Sequence, residues 1–512
     1  MLMAGENKQI AINIVAQVAV LIIQLSISFF LTPFIVRSLG MDAYGFVGLS
    51  GNIIGYMQVI TVALNSMAGR FITIAYHKGD FRKANQYFSS VFYADCILGL
   101  VIFLICLGLV FYLEYVISIP VALEADVKCL FMLLTISTVL SIVFNVYTVS
   151  PFIKNRLETT SIRNLISVLG NLVIILFLFM LFTPRVSYIG IASLFASAYL
   201  VVANYIIKKK LTPEFHLSRI YYDWRCIKEI LSSGVWNLIN RISVMFEKGF
   251  DLLLANWFIG NLVMGMMSVV STVTVLIPRV VSMAGSSFSP TITEYVAKGD
   301  IEGIKRNALK SIKIMSILVI MPLSVLYVYG NSFFALWLPN QDSGLLYLIA
   351  ILTTLDLIVG MPLEICWSIF GATNRVKVPA IVMFFVGVLT FLSLLILLNI
   401  FKDSRMQMIC LASSRTFWNF LKNITFLPLY GAKCLHLKWT YFYCTMAKSV
   451  FGIILALSVC QIFRWFIVPE TWSIFILSSV VVCAVATGIC SMIILHREDR
   501  IYIARQLHIV KS

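Results

Sequence analysis

Residues 379–400 read PAIVMFFVGVLTFLSLLILLNI, twenty-two positions without an acid or a base. As a helix this run rises about 33 Å, enough to cross a hydrocarbon core about 30 Å thick. Its apolar residues are continuous rather than alternating, so it is not a barrel strand, which would show period-2 patterning over about ten residues. Runs of the same kind recur along all 512 residues. Windows of about nineteen residues predict fourteen such spans. Those the argument uses lie at 10–33, 44–67, 88–112, 127–149, 231–259, 262–284, 345–368, 407–430, 447–467 and 471–495 (spans 1–4, 7, 8, 10 and 12–14). The chain is 60% hydrophobic and 12% charged, against roughly 45–50% and about 25% in soluble proteins, and its mean hydropathy is +0.95. A soluble enzyme is excluded, and the expected fold is an all-α polytopic membrane protein.

The net charge of +16 reports orientation rather than nucleic-acid binding. Lys and Arg concentrate in the N-terminus, the even-numbered loops and the C-terminus, which the positive-inside rule makes cytoplasmic. The densest cluster, Lys208, Lys209, Lys210, Arg219, Arg225 and Lys228, divides the chain. The expected organisation is an N-terminal lobe (1–207), a basic cytoplasmic linker (208–230), a C-terminal lobe (231–431), two appended spans (432–495) and a cytoplasmic tail (496–512). The run after Lys8 is too long for a signal peptide and lacks a cleavage site, so the first helix is expected to stay. The eleven cysteines form no C-x-x-C pair, which leaves neither a disulfide framework nor a zinc site supported.

One constant displacement superposes two stretches of the sequence on two later ones. Gly40 and Gly45 fall on Gly260 and Gly265, and Ile72-Thr73 and Lys78-Gly79-Asp80 fall on Ile292-Thr293 and Lys298-Gly299-Asp300. Six spans separate the copies, an even number, so the repeat is parallel: two six-helix lobes, the symmetry on which transporters are commonly built.

All five histidines lie in loops or the tail, the longest outward loop runs only from Tyr112 to Asp126, and no phosphate-cradling Gly-rich loop is present. Catalysis, a metal site and direct ATP hydrolysis therefore lack candidates. What remains are charges inside the membrane, each costing a few kcal/mol and usually facing a cavity or a partner. On span 7, Asn237, Arg241, Val244, Lys248 and Asp251 follow at helical spacing, flanked by Asn240 and Glu247, a polar face unsuited to lipid. Asn13, Gln17 and Gln24 form the milder counterpart on span 1. Arg279 in span 8, Asp356 and Glu364 in span 10, Arg415 and Lys422 in span 12, and Asp95 at the start of span 3 complete the set. The cations Arg241, Lys248, Arg279, Arg415 and Lys422 suit an anionic ligand, Arg offering a planar fork to phosphate or carboxylate. The acids Glu247, Asp251, Asp356 and Glu364 suit tuning of those bases, coupling to H+ or Na+, or pairing across helices as structural glue.

Several short motifs, in this order, resemble polysaccharide flippases of the Wzx type (O-antigen and exopolysaccharide), within the superfamily that includes the multidrug and toxin extruders and the peptidoglycan-lipid flippases. They are Phe34-Ile35-Val36-Arg37-Ser38-Leu39-Gly40 followed by Tyr44-Gly45, the Ala75–Asp80 loop, Gly330–Pro339, and Leu427-Pro428-Leu429-Tyr430. The resemblance implies alternating access through a cavity between two bundles. Its substrate would be an undecaprenyl-diphosphate-linked oligosaccharide, and its setting lipopolysaccharide or other surface-polymer assembly at a bacterial inner membrane. Membrane lipid is an implied partner, as are a polysaccharide polymerase and its chain-length machinery. Span 1 carries no arginine before Arg37, which argues against the peptidoglycan branch. A cation-coupled exporter of drugs or metabolites is the alternative, and a membrane polymerase or ligase a more distant one.

Overall fold

The computed structural model describes residues 2–495, the side chains of 2–11, 14 and 15 excepted. The tail 496–512, with His496 and His508, lies outside the described residues, as does the side chain of Lys8. The described residues are predominantly helical: α1 (Leu2–Leu39), α2 (Met41–His77), α3 (Phe81–Phe111), α4 (Glu124–Val143), α5 (Leu157–Leu181), α6 (Ser187–Leu211), α7 (Trp224–Val244), α8 (Asp251–Phe258), α9 (Asn261–Thr274), α10 (Leu276–Ser286), α11 (Ser289–Lys298), α12 (Ile301–Trp337), α13 (Ser343–Thr354), α14 (Leu357–Gly360), α15 (Ile365–Ala372), α16 (Lys377–Ile400), α17 (Ser404–Cys434), α18 (Tyr441–Cys460) and α19 (Trp472–Ile494).

Among the described residues, twelve helical stretches are long and apolar enough to cross a membrane, against the fourteen expected. The two others, expected spans 7 and 12, are α7 and α17. Both are helical, but Arg241 in one and Arg405, Arg415 and Lys422 in the other dilute their apolar character. Several expected spans are interrupted, spans 4 and 10 among them. After α4 the chain tightens into a 3-10 turn, Asn145–Thr148, before a short helix containing Pro151, which has no N–H for an i→i−4 bond. Pro362 interrupts span 10 in the same way between α14 and α15.

Connections are tighter than the hydropathy pattern implies. A single residue, Gly40, joins α1 to α2 at φ 87°, a left-handed conformation that glycine adopts without steric cost. Gly260, its partner in the repeat, takes φ 131°. Gly79 and Gly299 stand at φ 77° and 68°, each followed by an aspartate, Asp80 or Asp300, whose side chain caps the next helix. The helices starting at Met41, Phe81 and Leu157 have counterparts starting at Asn261, Ile301 and Lys377, the displacement that the sequence matches share. The paired glycines also meet: a side chain at Gly45 would begin 2.9 Å from the backbone nitrogen of Gly265.

Contacts divide the chain into two compact units, Met1–Val269 and Val270–Ser512. In the first, Leu64 and Ile72 of α2, Phe88 and Val91 of α3, Val146 and Val149 of the broken span and Ile227 and Ile230 of α7 form one buried cluster. The basic linker is part of it. Phe215 is fully buried and stacks on Phe88 with ring centres 4.8 Å apart, while Asn85 donates to the Glu214 carbonyl (3.0 Å) and accepts from the His216 N–H (2.7 Å). The second unit has a matching cluster containing Ile292, Cys366, Ile369, Leu435 and Met446. By the displacement of the repeat these are the counterparts of the buried Ile72, Val146, Val149, Phe215 and Cys226. Thus α7, expected to open the second lobe, packs into the first unit as α18 packs into the second.

Candidate substrate cavity

The α7 segment starts at Asp223, whose carboxylate accepts from the Arg225 N–H at 2.8 Å, an N-cap that satisfies a donor left over at the helix end. It lies against α2 at Gly234, where any side chain would collide with the Ala63 carbonyl. One turn later Asn237 donates to Ser66 of α2 at 3.1 Å. Below this contact the backbone widens into a π turn, Met245–Gly249, before α8. Turns of this kind are frequent at functional sites. The Gly249 carbonyl is held by α2, accepting from Asn52 at 3.2 Å and from the Tyr56 hydroxyl. The Tyr56 ring packs on Phe250 at 5.2 Å.

Between α2 and this widened segment lies a cavity of about 180 Å³, lined by Asn52, Tyr56, Arg241, Val244, Lys248 and Gly249 among others. Arg241 and Lys248 are both exposed to it. Lys248 stands 4.0 Å from the carboxylate of Glu247, which is itself buried. Among the described residues Arg241 makes no hydrogen bond or ion pair, so its five donors are available. Three members of the face read from the sequence, Arg241, Val244 and Lys248, therefore share one cavity. Asn237 is engaged with α2, Asn240 is exposed, and Glu247 and Asp251 do not line the cavity. The sequence reading missed Asn52 and Tyr56, whose i, i+4 spacing on span 2, completed by Val59 at i+7, was the available signal.

The other expected residues have different surroundings. Asn13, expected to face the cavity, instead holds the start of α5: it donates to the carbonyl and side chain of Asn155 and accepts from the Glu158 N–H, each at 3.1 Å. The reason is local. Asn155 is left-handed, at φ 52°, and the helix start behind it leaves donors that Asn13 satisfies. Gln17 is exposed and Gln24 half-buried. In the second unit Arg279 is exposed on α10. One turn on, Ser282 donates to Glu364 at 3.0 Å. Arg415 donates to the Thr353 carbonyl at 3.4 Å, beside the break of span 10 where Asp356 is half-buried. Lys422 is buried, donates to Asn419 and touches the Met383 sulfur at 3.4 Å. A larger cavity in this unit, about 630 Å³, is walled mainly by apolar residues including Ile358, Phe417, Phe420 and Leu457; none of the expected cations lines it.

The run of long apolar helices makes the chain a multi-pass membrane protein. Residues 8–296 match the polysaccharide biosynthesis protein family, and the chain belongs to that family. It is 28% identical over 504 residues, 98% of each chain, to the uncharacterized membrane protein EpsK of Bacillus subtilis (strain 168). Among solved structures it shares its fold with an inward-facing multidrug resistance MATE family transporter of the MOP superfamily (TM-score 0.70, 13% identity, 80% of this chain and 94% of the other). It also shares its fold with the lipid II flippase MurJ in an inward closed conformation (TM-score 0.60, 14% identity, 92% and 99%).

Proposed function

We propose that this chain flips an undecaprenyl-diphosphate-linked oligosaccharide repeat unit from the cytoplasmic to the outer leaflet of a bacterial inner membrane. Both termini would be cytoplasmic, and a polysaccharide polymerase with its chain-length machinery would receive the product on the far side. The observation that carries this reading is the pair Arg241 and Lys248 on one cavity wall. Two cations sharing a cavity at membrane depth are costly, and a diphosphate brings two or more negative charges to offset them. Arg241 suits bidentate binding of phosphate oxygens, and Lys248 adds a compact second charge. At about 180 Å³ the cavity is smaller than sites that enclose drug-sized ligands, roughly 300–1,000 Å³. It therefore suits the anionic link of the substrate, with the sugars lying beyond it and the polyprenyl chain remaining in lipid. No covalent chemistry is required, only stronger binding to one conformation than to the other.

The test is deletion of the gene followed by assay of surface polymer and of the leaflet holding lipid-linked units, read by a modifying enzyme confined to the outer side. The expected result is loss of polymer with units retained inside, restored by the wild-type gene but not by Arg241→Ala or Lys248→Ala proteins present at normal levels. Units reaching the outer leaflet normally in the deletion strain would reject the reading. An intact polymer would then point to a small-molecule exporter, and unpolymerised units on the surface to an assembly enzyme.

A further inference from the structure

Asp95 on α3 has no accessible surface. Its Oδ1 accepts from the Asn65 amide of α2 at 2.9 Å, and the Asn65 carbonyl accepts from the Asn145 amide at 3.1 Å. Asn145 opens the 3-10 turn that breaks the fourth span, so a relay of two amides ties this turn, through α2, to the carboxyl group on α3. The other oxygen, Oδ2, is buried with no partner. Among the described residues, no lysine, arginine or histidine pairs with Asp95. Cys96, next along α3, is its ionisable neighbour, and Tyr147 on the turn interacts with Cys96. From α7, Glu229 faces α3 two turns away, where it accepts from the Tyr87 hydroxyl at 2.6 Å.

A buried carboxylate without a cation costs several kcal/mol, whereas a protonated carboxyl is neutral and carries one donor. Oδ2 is the oxygen free to hold that proton. A metal cation is poorly served at this place, because Asn65 presents its NH2 group to the acid and its carbonyl is already taken by Asn145. Rearrangement of the turn that Asn145 opens would disconnect the amide relay and let water reach the carboxyl. On release of H+ the carboxylate keeps the Asn65 bond on Oδ1; on uptake Oδ2 becomes O–H.

We infer that Asp95, held by Asn65 and Asn145, is a proton-binding site that couples the movement of the first unit to a proton gradient, an inference that rests on the transport reading above. Purified protein in liposomes, compared by infrared difference spectroscopy between acid and alkaline buffer, is expected to show a protonated-carboxyl band in the acid state. That band should be absent in Asp95→Asn and shifted in Asn65→Ala, which removes one hydrogen bond to the group. No titrating band in wild type, or the same band in Asp95→Asn, would overturn the inference. In the same liposomes, with an undecaprenyl-diphosphate-linked oligosaccharide as probe, a gradient of about one pH unit would sustain about a tenfold leaflet ratio for one proton per lipid, and Asp95→Asn would lose that response. A gradient response retained by Asp95→Asn, or a response to sodium alone, would also overturn it. If neither protein moves the lipid while the infrared result holds, the flippase reading fails and the proton site stands.

Discussion

Asp95 in the first unit and Glu364 in the second sit in matching places with different company. Under the displacement that carries Gly40 onto Gly260, the positions of Asn65, Asp95 and Asn145 are held by Gly285, Met315 and Ile365. The acid there is Glu364, one residue before Ile365; its Cγ lies 3.3 Å from where a Gly285 side chain would begin, and the Met315 sulfur lies 3.6 Å from the same point. The backbone frame thus recurs while the polar groups differ. In the first unit the acid is on an unbroken helix, fully buried and linked to one amide, which a second amide holds in turn. In the second it is on the broken helix, half-buried and linked to the Ser282 hydroxyl. Repetition of packing does not carry repetition of chemistry with it, because apolar contacts tolerate exchange of residues of similar volume whereas a buried hydrogen-bonded acid depends on each of its partners.

The sharpest break of the comparison is expected at the helix that closes each unit. Gly234→Leu forces α7 away from the Ala63 carbonyl and should destabilise by about 3 kcal/mol or prevent folding. Its counterpart in the repeat is Ile454, half exposed on α18, and Ile454→Ala should stay within about 0.5 kcal/mol as an exposed substitution; thermal unfolding of the purified proteins distinguishes the two. Next in size, Arg241→Lys keeps the charge but loses the planar fork. Loss of charge-assisted bonds worth about 1.5–3 kcal/mol predicts weaker binding of a diphosphate lipid by roughly tenfold or more in a titration. Glu364→Gln sharpens the comparison directly: flux in a gradient of about one pH unit should retain its tenfold drive, and its loss would mean that both units carry protons. Tyr56→Phe removes one anchor of the π turn, about 1 kcal/mol, seen as a small drop in melting temperature. The smallest effect is at the loop between α3 and α4, where Glu114 meets Lys128 at 2.6 Å and the ammonium holds its carboxyl below the usual carboxylate range. A lowered pKa adds stability above the unfolded value and loses it as pH falls through the folded one. Proteolysis of this loop should therefore increase only in acid, below the usual carboxylate range.

Much of this was legible from residues alone. Lys78-Gly79-Asp80 and its match were read as a repeated loop signature; the left-handed glycine and the capping aspartate that the structure shows there have a local cause visible in the same three letters. The face Arg241, Val244, Lys248 was readable because its members recur at spacings of three and four, and the π turn that follows Val244 keeps Lys248 on the same cavity. Asn13 was misplaced because its partner, Asn155, is 142 residues away, and no periodicity reports such a contact. Asp95 was visible as an intramembrane charge, but its pairing with Asn65 depends on how α2 and α3 pack. Spans 7 and 12 were expected to cross the membrane in spite of the charges they carry. Their charged residues, the best clue to function, are what make them the two helices too polar to pass as apolar crossings.

The packing of the linker also bears on how the protein is made. Phe215 and Ile227 are synthesised after α2, α3 and the 146–153 segment against which they pack, so the first core is unfinished until α7 has left the ribosome. A nascent chain halted before Trp224 would display Phe88, Tyr147 and Phe215 without their lid. The order of translation, not only the final contacts, thus sets when half of this transporter becomes resistant to quality-control proteases.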